Sequence, residues 1–457
     1  MVRRQEGLYG MPTDPGSADR FAATRRSFVF AAGGMAAMTA AQPARGGDRD
    51  VVPNSSRDVR ASGAAGDGKT DDTAAFQKAI NEAGRTGGVV SVGVGNYLIK
   101  GSLVVHANVT VEGVFRSPTA RSQGFGSTIL AVDGRGRADG PPLFFLKPNA
   151  ALKGLTVFYP EQDAGKPVEY PWCIRGEGDN VAVVDVLLVN PWNGVDFGTH
   201  PCGRHLVRGL YGQPLHTGLF VDHCLDCGRL EDVHFWPFWT TEPLATTRAT
   251  GVAFRFARSD WQMLTNVFCL GYHTGFEFTA VRTDAGNAMV LNSGSDDCAV
   301  GVRVEYSQVH AGVLFTNCQI NAGVVVEPGS LGPVKFMNCG LFGTGAGGLA
   351  YLSRDDARAT HVLNRGLGRA TFIGCHFYHP EGPFVPKGFT DAGHPVVYSD
   401  GPGLTVSGCD FTGFDRRHIS LGAKAKSTVV TGSRFLGGLK LDNNGKGKVE
   451  TGCNVDE

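Results

Sequence analysis

Three absences bound the function. Basic charge is not in excess: 43 Lys and Arg balance 43 Asp and Glu, so there is no basic surface to collect nucleic acid. No apolar run approaches the ~18–20 residues of a membrane span. No cysteine or histidine set falls at zinc spacing. Cys224 and Cys227 in HCLDCG form a lone C-x-x-C, for which a local disulfide is the other use. The 65 glycines follow no G-x-y period, which excludes collagen.

One stretch invites a nucleotide reading. GAAGDGKT, residues 63–70, fits the pattern G-x-x-x-x-G-K-[ST]. A phosphate loop leaves the first N–H groups of the following helix free for the anion. Here Asp71 and Asp72 follow at once and would repel a phosphate. Thr70 or Asp71 is the expected N-cap. Ala74, Phe76, Ala79, Ile80 and Ala83 form the apolar face, and Gly84 ends the helix. The match is coincidental.

The N-terminus reads as an address. TRRSFVF (24–30) precedes AAGGMAAMTAA (31–41). An Arg pair before a mild, Gly/Ala-rich apolar stretch is the pattern of a twin-arginine export signal. Residues 1–44 are therefore expected to be leader, with a single domain over 45–457 and a periplasmic or extracellular destination.

The run from Arg57 to Val114 resembles the opening segment of the pectate lyase superfamily. Rhamnogalacturonases, polygalacturonase relatives, mannuronan epimerases and some phage tailspikes belong to it. The matching pieces are Asp58-Val59, Gly66-Asp67-Gly68, Thr70-Asp71-Asp72-Thr73, Phe76, Ala79-Ile80, Gly87-Gly88-Val89-Val90 and Tyr97-Leu98-Ile99. The resemblance implies an all-β fold, a right-handed parallel β-helix, whose end is plugged by the short helix of residues 71–83.

The remainder supports a solenoid independently. VLFTNCQIN (313–321), VKFMNCGLFG (334–343), ATFIGCHFYH (370–379), LTVSGCDFTG (404–413) and TVVTGSRFLG (428–437) align as one repeat, with loops inserted between some copies. Cys318, Cys339, Cys375, Cys409 and Ser433 occupy one place in it, which predicts a buried ladder of small side chains. A disulfide framework suits smaller, loop-rich domains better.

Two regions are chemically dense. All five Trp lie between 172 and 261. Around HFWPFW, with Trp261 nearby, aromatic rings could carry sugar faces, or else pack under a long loop. Trp236, Trp239, Trp261, His223, His234 and Arg303 are the candidate substrate-binding residues, with Asp222 and Asp260 as acids beside them. The second region is SDDC, residues 295–298, similar to the Asp-Asp-Cys element of polygalacturonases. That resemblance implies one acid that protonates the leaving oxygen and one that activates water. Strand alternation sends Cys298 and Val300 inward and Asp297 outward, with Asp296 at the turn. Asp296 and Asp297 lead as catalytic candidates, His310 could tune them, and Asp222, Asp260 and Glu305 are rivals. The Asn-Thr-Asp, Gly-His-Gly and Arg-Ile-Lys elements of polygalacturonases are missing.

The expectation is an exported glycoside hydrolase acting on a polysaccharide or oligosaccharide, without cofactor. The alternatives are a lyase, which would use calcium, and a non-catalytic glycan-binding β-helix. Oligomeric state is open, a homotrimer included.

Overall fold

The computed structural model describes residues 57–456 except 116, 119–125, 283, 345–349, 354–355, 357–360, 379–393 and 414–415. The expected leader lies outside the described residues. From residue 57 onward the chain is one compact unit built almost wholly of short parallel strands, a parallel β-helix.

Each coil contributes a strand to three parallel sheets. The first runs from Gly88–Ser91 through Val109–Glu112 and Val334–Met337 to Lys448–Gly452. A second contains Gly95–Ile99, Ser127–Ala131 and, farther on, His376–Tyr378 and Asp410–Thr412. The third contains Trp172–Gly176, Asn193–Phe197, Thr217–Val221, Val252–Phe256 and Thr274–Phe278. The core lies between the three sheets and is stacked coil on coil. Phe315, Phe336 and Phe372 stack with centroids 5.0 and 5.4 Å apart. Phe377, Phe411 and Phe435 follow at 4.4 and 4.8 Å. These spacings match the ~4.8 Å between paired strands, so each ring buries its faces against the same residue type one coil away.

The turn from first to second sheet explains the repeat. Its corner residue has positive φ in successive coils: Asn292, Asn317 and Asn338 at 50–55°, then Gly374, Gly408 and Gly432 at 60–61°. Only Gly, Asn and Asp adopt this left-handed region at low cost. Asparagine adds a bond along the stack, Asn338 Nδ2 donating to Asn317 Oδ1 at 2.8 Å. The next residue is the ladder position. Cys318, Cys339, Cys375 and Cys409 are buried, unbridged thiols, and Ser433 continues the row. Each thiol donates to the carbonyl two residues back, for example Cys339 to Met337 O at 3.3 Å and Cys409 to Ser407 O at 3.5 Å.

The helix α1 (Thr73–Gly84) covers the first coils through Phe76, Ala79, Ile80 and Ala83. Ala74, expected on that face, is exposed. The N-cap is Asp72 rather than Thr70 or Asp71, and its carboxylate makes no cap bond. Instead it accepts from Ala65 N at 2.7 Å and Gly66 N at 3.1 Å, while Asp67 accepts from Lys69 N and Thr70 N, both at 2.8 Å. Four N–H groups of GAAGDGKT are thus held by the chain's own carboxylates, and those of Gly63 and Ala64 by the carbonyls of Arg60 and Val59, which removes any phosphate cradle.

Candidate functional site

The sequence-derived candidates fall on four separate parts of the coil. At the corner between second and third sheets, Asp296 ends its second-sheet rung and accepts from Asn321 Nδ2 at 3.2 Å. Asp297, not Asp296, occupies the turn, with φ 48°. It is ion-paired to Arg248 of a second helix, α2 (Ala245–Thr250). Cys298 is buried as expected. Val300 is not part of the main core: it packs with Val325 and Leu363 in a separate cluster. A register irregularity between Val300 and Val302 breaks the simple alternation.

HFWPFW lies nearby, on the outside of the second sheet. His234 touches Trp236, Phe238 and Phe268 with ring centroids 5.6, 5.7 and 5.3 Å away. Phe238 is buried, and Trp236 and Trp239 are partly buried against it. Desolvation lowers the pKa of His234. This is the geometry of aromatics packed onto the second sheet, against Leu187, Val189, Phe158 and Tyr211.

At the corner between third and first sheets lie Asp222, His223, Asp260, Trp261 and His310. Asp222 is fully buried and accepts from Arg282 Nε at 2.9 Å and Arg258 N at 3.1 Å. Asp260 accepts from Gln308 Nε2 at 2.5 Å and Arg258 Nη2 at 3.2 Å. Trp261 is 58% exposed, and His310 is exposed. His223 sits at a positive-φ turn, at 57°. The C-x-x-C is unbridged, and burial pushes the Cys224 thiol up to about 11.

The outward face of the third sheet gathers the richest chemistry. One register row reads Phe145, Arg175, Asp196, Phe220, Arg255, Glu277 and Arg303 on successive coils. Only Arg303 of these was a candidate from sequence. Arg175 Nε donates to the buried Asp196 at 2.6 Å, and Arg255 pairs with Glu277. Arg303 reaches Glu327 at 2.7 Å and Asp356 at 2.8 Å. Arg365 holds the same two acids.

Glu305 lies one coil beyond Glu277 and two residues along, because Glu277 pairs with Arg303. Strand geometry puts their Cα atoms roughly 8 Å apart. Glu305 accepts a hydroxyl bond from Thr279 Oγ1 at 2.6 Å in place of a cation. Burial raises the pKa of Glu277, with Arg255 acting in the opposite direction. His273 stands at the start of this rung, its Nδ1 3.0 Å from Thr274 Oγ1. Desolvation, then the charge of Arg303, lowers its pKa. The face therefore combines a desolvated carboxyl, a second carboxyl within reach of the same small molecule, and a neutral imidazole.

Among the described residues no cluster of three or more His, Cys, Asp or Glu is arranged to hold a metal ion. No described helix is long and apolar enough to cross a membrane.

Residues 56–136 match the family described as Rhamnogalacturonase A/epimerase, pectate lyase-like. No curated protein sequence matches the chain. Among solved structures, the A-module of a mannuronan C-5 epimerase from Azotobacter vinelandii is similar at 13% identity and TM-score 0.46, over 88% of this chain and 99% of that one. Gene product 12 of bacteriophage phi29, in its pre-mature form, reaches TM-score 0.52 at 13% identity, over 88% of this chain and 56% of that one. A DFA-IIIase from Arthrobacter chlorophenolicus has TM-score 0.43 at 14% identity, over 82% and 83%. At such identities the likeness concerns the fold alone. With residues 56–136 matching that family and this stack of coils, the chain is a parallel β-helix protein with a pectate-lyase-like opening segment.

Proposed function

We propose that the protein is an exported glycoside hydrolase that draws a polysaccharide along the outward face of the third sheet. Glu277 donates the proton to the leaving oxygen, and Glu305 serves as base or nucleophile. The observation that carries this reading is the placing of a desolvated Glu277 beside Glu305 on the next coil, which makes no ion pair among the described residues and accepts from Thr279 Oγ1. A raised carboxyl beside a second carboxyl is the pair that glycoside cleavage requires. His273 and Arg303 flank the pair and supply donors for sugar hydroxyls. Asp296 and Asp297 are less suited, since Asp296 ends a second-sheet rung and the ion pair of Asp297 with Arg248 fastens α2 to the corner. The Arg-Arg-led N-terminal segment supports export.

The test is a polysaccharide panel read for new reducing ends and for absorbance at ~235 nm, with and without calcium. Reducing ends that vanish in Glu277→Gln and Glu305→Gln support the hydrolase. Absorbance rising with calcium would mean elimination, and a lyase. A second reading, a non-catalytic glycan-binding β-helix, draws on the ion pair that Arg255 makes with Glu277, since a paired acid gives up its proton less usefully. Binding without any product would favour it.

A further inference from the structure

The charge pattern of the third-sheet face bears on what kind of glycan lies there, and this step rests on the carbohydrate reading above. A polymer of uronic acids brings a carboxylate on each sugar and needs free guanidinium or ammonium groups to meet it. This face has many arginines, but each is engaged. Arg175 holds Asp196, Arg255 holds Glu277, and Arg282, at the corner beside the face, holds Asp222. Arg303 and Arg365 share Glu327 and Asp356. Glu305 adds one more acid. Turning Arg175, Arg255 or Arg282 toward a substrate carboxylate would strand a desolvated acid. Asp196 and Asp222 have no exposed surface at all, and Glu277 is buried. Leaving a buried charge unpaired is among the more costly changes a protein can undergo.

The same face offers an apolar surface. Trp172 and Phe220 are half-buried, with ring centroids 6.4 Å apart and planes 26° from parallel. Phe220 shares the register row of Glu277, two coils before it. At ~4.8 Å per coil the platform lies about 10 Å from the acid along the axis, within the span of one oligosaccharide. Indole and phenyl faces take up the C–H faces of sugar rings without needing charge.

We infer that the site takes a neutral glycan, with one of its sugar rings resting on the Trp172–Phe220 surface and its hydroxyls meeting the paired carboxylates and guanidiniums. The test is calorimetric titration of the full chain with cello-, laminari- and inulo-oligosaccharides, set against oligogalacturonate and oligomannuronate, at low and high salt. A neutral oligosaccharide should bind with an affinity indifferent to salt. Phe220→Ala and Trp172→Ala should each weaken it by about tenfold, with melting curves establishing that both variants fold. Binding of an oligouronate that falls steeply with salt overturns the inference and leaves the carbohydrate reading standing. Neutral binding untouched by both aromatic variants overturns the platform. No binding to any of the five overturns the carbohydrate reading itself, and this inference with it.

Discussion

Glu277 and Glu305 face outward from adjacent coils, offset by two residues in register; Glu277 is ion-paired to Arg255, whereas Glu305 accepts from the Thr279 hydroxyl. The pair predicts a division of labour. Glu277→Gln cannot donate a proton, and Glu305→Gln cannot activate water. Either change should lower kcat by roughly 10²–10⁴ while leaving the Kd for oligosaccharide within a few fold. Single-turnover rates beside calorimetric affinities check this. Loss of affinity equal to the loss of rate would make both residues binding groups.

The raised pKa of Glu277 also fixes a sign. Its folded value lies above the ordinary 4.5, so the unfolded chain gives up this proton first. Folding stability from this group is lost as pH rises from about 4.5 through the raised value. Activity that needs the protonated form should fall on the same alkaline side. In Glu277→Gln the stability slope above pH ~4.5 should flatten, read from melting temperatures across pH.

His205 predicts the opposite slope. It is fully buried, its Nδ1 lies 2.9 Å from Cys202 O, and burial lowers its pKa to about 4. The unfolded chain takes up a proton near 6.5 and the folded chain does so only near 4. Stability should therefore drop as pH falls through that window, by on the order of 3 kcal/mol. His205→Gln should remove this part of the acid sensitivity. Urea midpoints at pH 7 and pH 4.5 compare the two proteins.

The fold was legible because its signals are local and repeated. Asn or Gly followed by Cys marks a left-handed corner and then an inward small side chain, and both recur in each aligned copy. The helix α1 could be placed from its apolar spacing, although its cap could not, because the Asp72 carboxylate turns back to Ala65 and Gly66. The third-sheet row was harder to see. Its strands read WCIRG, NGVDF, VAFRF and TGFEF, mostly apolar, with a single charge at the fourth place. Aligned as coils, these give Arg175, Asp196, Arg255 and Glu277, a signal that was present but thinly spread. Acidic clusters such as SDDC draw the eye more readily. Pairing partners are set by chain segments far apart in sequence, as with Arg248 and Asp297.

That ion pair separates structure from catalysis at the second sequence candidate. Arg248 fastens α2 to the corner, assisted by Thr247 Oγ1 donating to Leu215 O at 2.6 Å. Asp297 is partly exposed, so Asp297→Asn should cost only about 1 kcal/mol, keep the left-handed turn, and speed proteolysis within residues 237–250. Asp297→Val should cost 1–2 kcal/mol more, because a β-branched residue resists φ near 48°. Turnover in Asp297→Asn should stay near that of the parent. An intact, folded Asp297→Asn with no turnover would instead make Asp297 catalytic.

The cysteine ladder yields a prediction that depends on hydrogen bonding rather than on sulfur. Cys375 Sγ donates toward Phe336 O at 3.4 Å and Ile373 O at 3.6 Å. Ser433, one place in the same row, makes the equivalent bond to Thr431 O at 3.2 Å. A hydroxyl therefore fits the row, and Cys375→Ser should cost only about 1 kcal/mol. Cys375→Leu adds volume between stacked coils and removes the donor, so about 2–3 kcal/mol is expected. The thiols should also resist alkylation in the native state, since the ladder is buried while Cys453 is exposed. Mass spectrometry after brief iodoacetamide treatment should find label on Cys453 first and on Cys318, Cys339, Cys375 and Cys409 only after denaturation. Rapid native labelling of those four would mean that the coils open locally, and would remove the ladder as a reason for the stability of this end of the stack.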